Sequence, residues 1–163
     1  MSLVTNLTIF FTILLAMILE LIPFPEGLPK EIGFLRPELV LMTLIYWVVA
    51  LPHRAGVVLA WISGLTMDTL VGNFLGQFAC SFVIISYVVL QFYQRLRMFS
   101  VWQQAILVSG LIILHRGLSF LYLYVFDGTI PSLWQMMPAI SSALVWPLVF
   151  LLLRAIRRSL KLT

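Results

Sequence analysis

Apolar residues run in blocks of about fifteen to twenty-five positions, separated by short connectors in which proline, glycine and charge collect. A helix rises about 1.5 Å per residue and the hydrocarbon core of a bilayer is about 30 Å thick, so blocks of this length predict transmembrane helices. Six are read along the chain: Leu3 to Ile22, Pro37 to Leu51, Ala55 to about Gly72, about Phe78 to Tyr93, Trp102 to Phe126, and Leu133 to Leu153.

The connectors sharpen these limits. Residues 23 to 36 hold three prolines, two glycines and mixed charge, which predicts a polar loop. Pro37 suits the first turn of the second helix and Pro52 stops it. That helix would be only about 22 Å long, short for a membrane span, and so recessed or irregularly extended. Pro138 and Pro147 predict breaks in the sixth. No Lys or Arg precedes the first block and no small-residue cleavage site follows it, so a removed signal peptide is not expected. Without repeats or long linkers, residues 1–163 form a single transmembrane domain, an all-α integral membrane protein built as a compact bundle of about six helices.

Composition agrees with the pattern. Of 163 residues, 62% are hydrophobic and 10% charged, too few charges to cover a water-soluble surface. The net charge of +4 does not form a nucleic-acid face, because the basic residues sit in connectors and the tail. With six spans, Arg54, Arg95, Arg97, Arg154, Arg157, Arg158 and Lys161 fall on one side and only Lys30 and Arg36 on the other. Seven against two places both termini in the cytoplasm. Trp102 and Trp134 stand where interfacial anchors belong, and Cys80 is a lone small residue in an apolar run.

Every fourth position from Gly56 gives Ala60, Gly64, Asp68, Gly72 and Gly76, a stripe of small residues broken by one carboxylate. Small side chains let helices approach closely, so the stripe reads as a packing groove, with Gly72 and Gly76 alternatively shaping the next turn. A carboxylate inside a span costs about 2.5–3.5 kcal/mol and needs compensation. Arg116 is the basic residue deepest in an apolar block, and counting from the start of each block puts it level with Asp68. An Asp68–Arg116 pair is therefore expected, assisted by His115 and Ser119, either fixing helix register or forming a proton or ion site. Ser63, Ser109, Ser141 and Ser142 read as interhelical hydrogen bonders. Phosphate-cradling glycine loops, zinc motifs, cysteine pairs and nucleophile elbows are missing from the sequence, so no catalytic residue, metal ligand or cofactor is assigned.

Several of these residues also carry a resemblance. Arg36-Pro37 with Leu39-Val40-Leu41, Tyr46-Trp47, the Leu51-Pro52-His53-Arg54 turn, the spaced Gly64, Asp68, Gly72 and Gly76, then Trp102-Gln103-Gln104-Ala105 and Trp146-Pro147 are similar to the MreD family over essentially the whole chain. The resemblance implies a bundle like the S components of energy-coupling-factor vitamin transporters, in the bacterial inner membrane. It implies a non-enzymatic role in cell elongation, maintaining rod shape and regulating peptidoglycan synthesis with MreC as direct partner. MreB, RodA and a class B penicillin-binding protein belong to the wider complex, and membrane lipid surrounds it. His115-Arg116 has no place in that pattern.

Two other classes remain. A small-molecule transporter component would need a polar cavity open to the outside at Asp68, and an intramembrane enzyme would draw on Asp68, His115 and Glu20. The topology is directly testable. Tags at both termini should be cytoplasmic, and a cysteine placed near Glu26 should react from outside with a membrane-impermeant thiol reagent; a terminus reached from the periplasm would overturn the six-span reading.

Overall fold

The computed structural model describes residues 2–23, 35–72, 74–128 and 132–160; Glu26, Lys30 and most of the first loop lie outside the described residues, as does Lys161. Within them are six α-helices and no strand: α1 Ser2–Leu21, α2 Leu39–Ala50, α3 Val57–Val71, α4 Gln77–Met98, α5 Val101–Asp127 and α6 Met137–Ser159, the last entered through a 3-10 turn, Leu133–Met136. The protein is an all-α membrane bundle. α1, α4, α5 and α6 are each long and apolar enough to cross a bilayer, whereas α2 has 12 residues and α3 has 15.

α2 organises the bundle. Its sequence, LVLMTLIYWVVA, is apolar on every side, and a helix without a polar face belongs in an interior. Ten of its 12 residues are buried, and it packs against α1, α4, α5 and α6. The Trp47 indole N–H donates to Thr12 Oγ1 of α1 at 2.8 Å, and Tyr46 meets Trp47 and Phe150 edge-on. Fully enclosed Leu41, Met42, Leu44 and Trp47 fill the middle of the molecule. Outward faces stay apolar, as lipid contact requires; α1 exposes Phe10, Phe11, Leu15 and Ile18.

Several boundaries depart from expectation for local reasons. Pro37 stands ahead of α2 rather than in its first turn, and Glu38 takes the N-cap position. α4 continues past Tyr93 to Met98, so that the Arg97 guanidinium donates to the carbonyls of Val49 and Ala50 at 2.7 Å each. These are orphan carbonyls at the C-terminus of α2, where the helix dipole favours a cation. Ser100 and Gln103 form a reciprocal capping box at the start of α5. Pro138 sits in the first turn of α6, where its missing N–H has no helical partner to lose, leaving Pro147 as the proline inside that helix.

The small-residue stripe is used unevenly. Ala60 is buried, and a Cβ built on Gly64 would overlap the backbone of Ala79 and Phe78 in α4, so here the two helices touch main chain to main chain. Gly56 has nothing within 4 Å of such an atom, and Gly72 and Gly76 are turn residues with φ of 76° and 105°. The buried small residues of the stripe are thus Ala60 and Gly64, and at Gly64 the contact is filled by α4.

Gly64→Ala should therefore lower stability by about 1–3 kcal/mol through overpacking. Gly56→Ala should be nearly neutral. Unfolding titrations in mixed micelles compare them, and equal effects would show that the α3–α4 contact does not set the packing.

Candidate functional site

The shortness of α2 creates the site. Its C-terminus is held by Arg97 at the end of the bundle where α5 begins. Twelve residues carry it about 18 Å inward, so its N-terminus stops well inside the bundle. Arg116, fifteen residues after Val101, lies about 22 Å along α5 from that same end. Glu38, the N-cap residue of α2, thereby arrives beside Arg116.

The Glu38 carboxylate is buried and forms an ion pair with Arg116, Oε1 lying 2.5 Å from Nε. Its other oxygen faces His115 Nε2 at 3.5 Å. His115 is also buried, and its Nδ1 meets Ser81 Oγ of α4 at 2.8 Å. The Ser81 hydroxyl proton has two destinations: the carbonyls of Gln77 and Phe78 at 3.1 and 3.0 Å, or the imidazole. The chain Ser81–His115–Glu38–Arg116 can therefore carry its protons in more than one arrangement. Phe78 and Phe82 pack against the imidazole with centroids 5.3 and 5.5 Å away.

Neighbouring helices complete the same point. The Glu38 backbone N–H donates to Ser142 Oγ of α6 at 3.0 Å, and the Val40 N–H donates to Glu20 Oε2 of α1 at 2.9 Å. Two amides at the N-terminus of α2 thus bond to side chains of other helices, with a carboxylate at the positive end of its dipole. Side chains of α1, α5 and α6 converge on the first residues of α2, and α4 joins them through Ser81 on His115. The arrangement locks their relative rotation, because a displaced partner would strand a buried charge or amide.

Asp68 does not join this centre, contrary to the Asp68–Arg116 pairing. It is fully buried, and its oxygens accept from the backbone N–H groups of Gly76, Phe78 and Ala79 at 2.9, 2.8 and 3.3 Å. A carboxylate of α3 thereby caps α4, whose N-cap Gly76 has no side chain to do so. Counting along each helix does not settle the pairing: Asp68 faces α4 while Arg116 turns toward α2. Gly64, one turn before Asp68, brings that capped end within reach.

The other motif residues lie apart from the centre. Arg36 and Pro37 are half-buried just before α2; Pro52, His53 and Arg54 form the turn after it, where Arg54 reaches Asn6 Oδ1 at 3.3 Å. Glu38 was missed although it falls inside the expected Pro37–Leu51 helix, because it stands in that helix's first turn beside the polar, proline-rich loop. The signal was present in the length of the Pro37–Leu51 block, since a span about 8 Å too short leaves an end below the membrane surface. Among the described residues, no group of three His, Cys, Asp or Glu side chains is placed to hold a metal ion.

The family profile of rod shape-determining protein MreD matches residues 1–156. A Haemophilus influenzae protein named rod shape-determining protein MreD is 35% identical over 157 residues, spanning 94% of each chain. No solved structure gives a significant match, so the likeness to vitamin-transporter S components has the resemblance alone behind it.

Coupling within the centre can be measured by a double-mutant cycle. Glu38→Ala and Arg116→Ala should interact by on the order of 1–3 kcal/mol, the double variant losing less than the sum. Asp68→Ala and Arg116→Ala should simply add. Coupling in the second cycle and none in the first would restore the Asp68–Arg116 pair.

Proposed function

This chain belongs to the MreD family of rod shape-determining proteins, and on that premise we propose that it is a non-enzymatic inner-membrane component of the cell-elongation machinery, regulating peptidoglycan synthesis together with MreC. The match along nearly the whole chain carries the cell-shape role. The adaptor reading draws on the form of the molecule. Most of its described residues lie in apolar helices with short turns between them, and its best-organised polar groups are turned inward on one another.

Such a protein offers a partner its lipid-facing helix surfaces and its arginine-rich end. α1 presents one broad apolar face beyond its contacts with α2 and α3, and side-by-side packing with a span of MreC would use surfaces of this kind. MreB, RodA and a class B penicillin-binding protein are proposed as members of the wider assembly. The basic-residue count supports a cytoplasmic location for both termini.

The transporter alternative gains no support from Asp68, whose carboxylate is enclosed and committed to the α4 N-terminus. The centre of the bundle is occupied by Leu41, Met42, Leu44 and Trp47 rather than by a polar chamber.

Depletion of the protein should round rod-shaped cells, and MreC should co-purify with it in stoichiometric amount from native membranes. Arg116→Ala should lower both MreC recovery and rod shape, because loosening the α2 centre changes the outer faces of four helices. Retained rod shape on depletion would overturn the elongation role, and absence of MreC from intact complexes would remove the partnership.

A further inference from the structure

A cleft of about 870 Å³ opens at the arginine-rich end of the bundle, between the C-terminal half of α2, the α4–α5 turn, α5 and α6. It is separate from the Glu38 centre. Ile45, Val49, Leu107, Leu111 and Phe150 give it apolar walls, while Arg154 and Arg157 stand along it on the last turns of α6. No carboxylate is among its lining residues.

Two buried donors line the same cleft without a partner. Tyr46 is 4% exposed and Trp146 is 2% exposed, yet neither the Tyr46 hydroxyl nor the Trp146 indole N–H finds a hydrogen bond among the described residues. In the same protein the Trp47 indole is satisfied by Thr12, so an orphan indole is not a general feature of its core. A buried donor left unmade is costly, and both aromatic types normally find an acceptor. Tyr46 lies within electrostatic reach of Arg157, Arg154 and Arg158, which joins the orphan hydroxyl and the arginines into one site. Arg97, also on the lining, is committed to the carbonyls of Val49 and Ala50. Arg154 rests over the Phe150 ring at 5.8 Å, and among the described residues no ion pair engages it.

The occupant must therefore bring a negative charge for Arg154 and Arg157, hydrogen-bond acceptors one step deeper, and an apolar remainder. We propose that the cleft binds an anionic glycerophospholipid, its phosphate on Arg154 and Arg157, its ester carbonyls accepting from Tyr46 and Trp146, and an acyl chain against Leu107, Leu111 and Phe150. An ester linkage places acceptors beside the phosphate and next to hydrocarbon, which is the order of groups the cleft presents. A membrane-spanning helix fits worse: at a diameter of about 10 Å, only about two turns would fill this volume, and its backbone acceptors are already bonded within the helix.

The test uses the full-length protein in detergent, with bound lipid counted by native mass spectrometry and helicity followed by circular dichroism. Phosphatidylglycerol should be retained one per chain and phosphatidylcholine much less. Arg154→Gln with Arg157→Gln should weaken phosphatidylglycerol binding about thirty-fold, taking the usual increment per basic residue. Arg54→Gln with Arg95→Gln, which removes equal charge from exposed residues that neither line the cleft nor act on Tyr46, should change it little. Tyr46→Phe removes a hydroxyl with no internal partner, so the lipid-free protein keeps its stability, while diester lipid should bind about five-fold more weakly and the diether analogue unchanged. Equal retention of phosphatidylcholine, equal damage from both arginine pairs, or indifference of Tyr46→Phe to ester against ether would overturn the assignment. So would a protein helix cross-linked into the cleft in native membranes.

Discussion

Backbone groups at the end of a helix need partners, and a helix too short to reach the membrane surface cannot take them from water. α2 is such a helix, and the bundle is arranged to satisfy its ends from outside itself. Glu20 and Ser142 accept from its first amides, and Arg97 serves its last carbonyls. Asp68 repeats the solution at the start of α4, with three amides on one carboxylate. Caps are supplied between helices where soluble proteins usually supply them within a helix. Each therefore also fixes how two helices sit, and the polar residues of the interior become the positioning elements of an otherwise apolar assembly.

The placement of charge follows from the same constraint. Glu38 and Arg116 would each be expensive alone in low dielectric, and together with His115 and Ser81 they form one continuous set of contacts. The family match assigns a cell-shape role. A molecule of this kind contributes to such a role through shape: rotation of one helix about its axis would have to break contacts shared by four others. The outer surface is accordingly held as a unit, which suits the side-by-side packing proposed for it.

The helices were legible because lipid leaves few options: long apolar runs must be helical, and the breaks between them fall at Pro52, Gly72, Gly128 and the polar Ser100. The ends were less so. α4 runs beyond Tyr93 because Arg97 is needed at α2, a tertiary demand invisible in the local sequence Gln-Arg-Leu-Arg. Asp68 was marked as a buried carboxylate requiring compensation, which it is, but spacing along a helix gives depth and not azimuth. Two residues at one level can face different neighbours. Gly64 was likewise readable as a small-residue contact, whereas the identity of its partner, the Phe78–Ala79 backbone, depended on where the following turn directed α4. Tyr46 and Trp146 left no mark beyond their types, since an unmet hydrogen bond exists only in three dimensions.

The span of chain between Glu38 and its partners bears on how the protein is made. Ser142 lies 104 residues after Glu38, and Val49 and Arg97 are separated by 48. A ribosome adding about 5–20 residues per second delivers Arg116 about 4–16 s after Glu38. During that interval Glu20 and then Arg97 can serve the ends of α2, but the Glu38 carboxylate waits for Arg116 and its amide for Ser142. The Glu38 centre is consequently completed late in biogenesis. A chain halted before α5 is a natural target for membrane proteases, and partial copies have no route to accumulate as competitors of the finished protein.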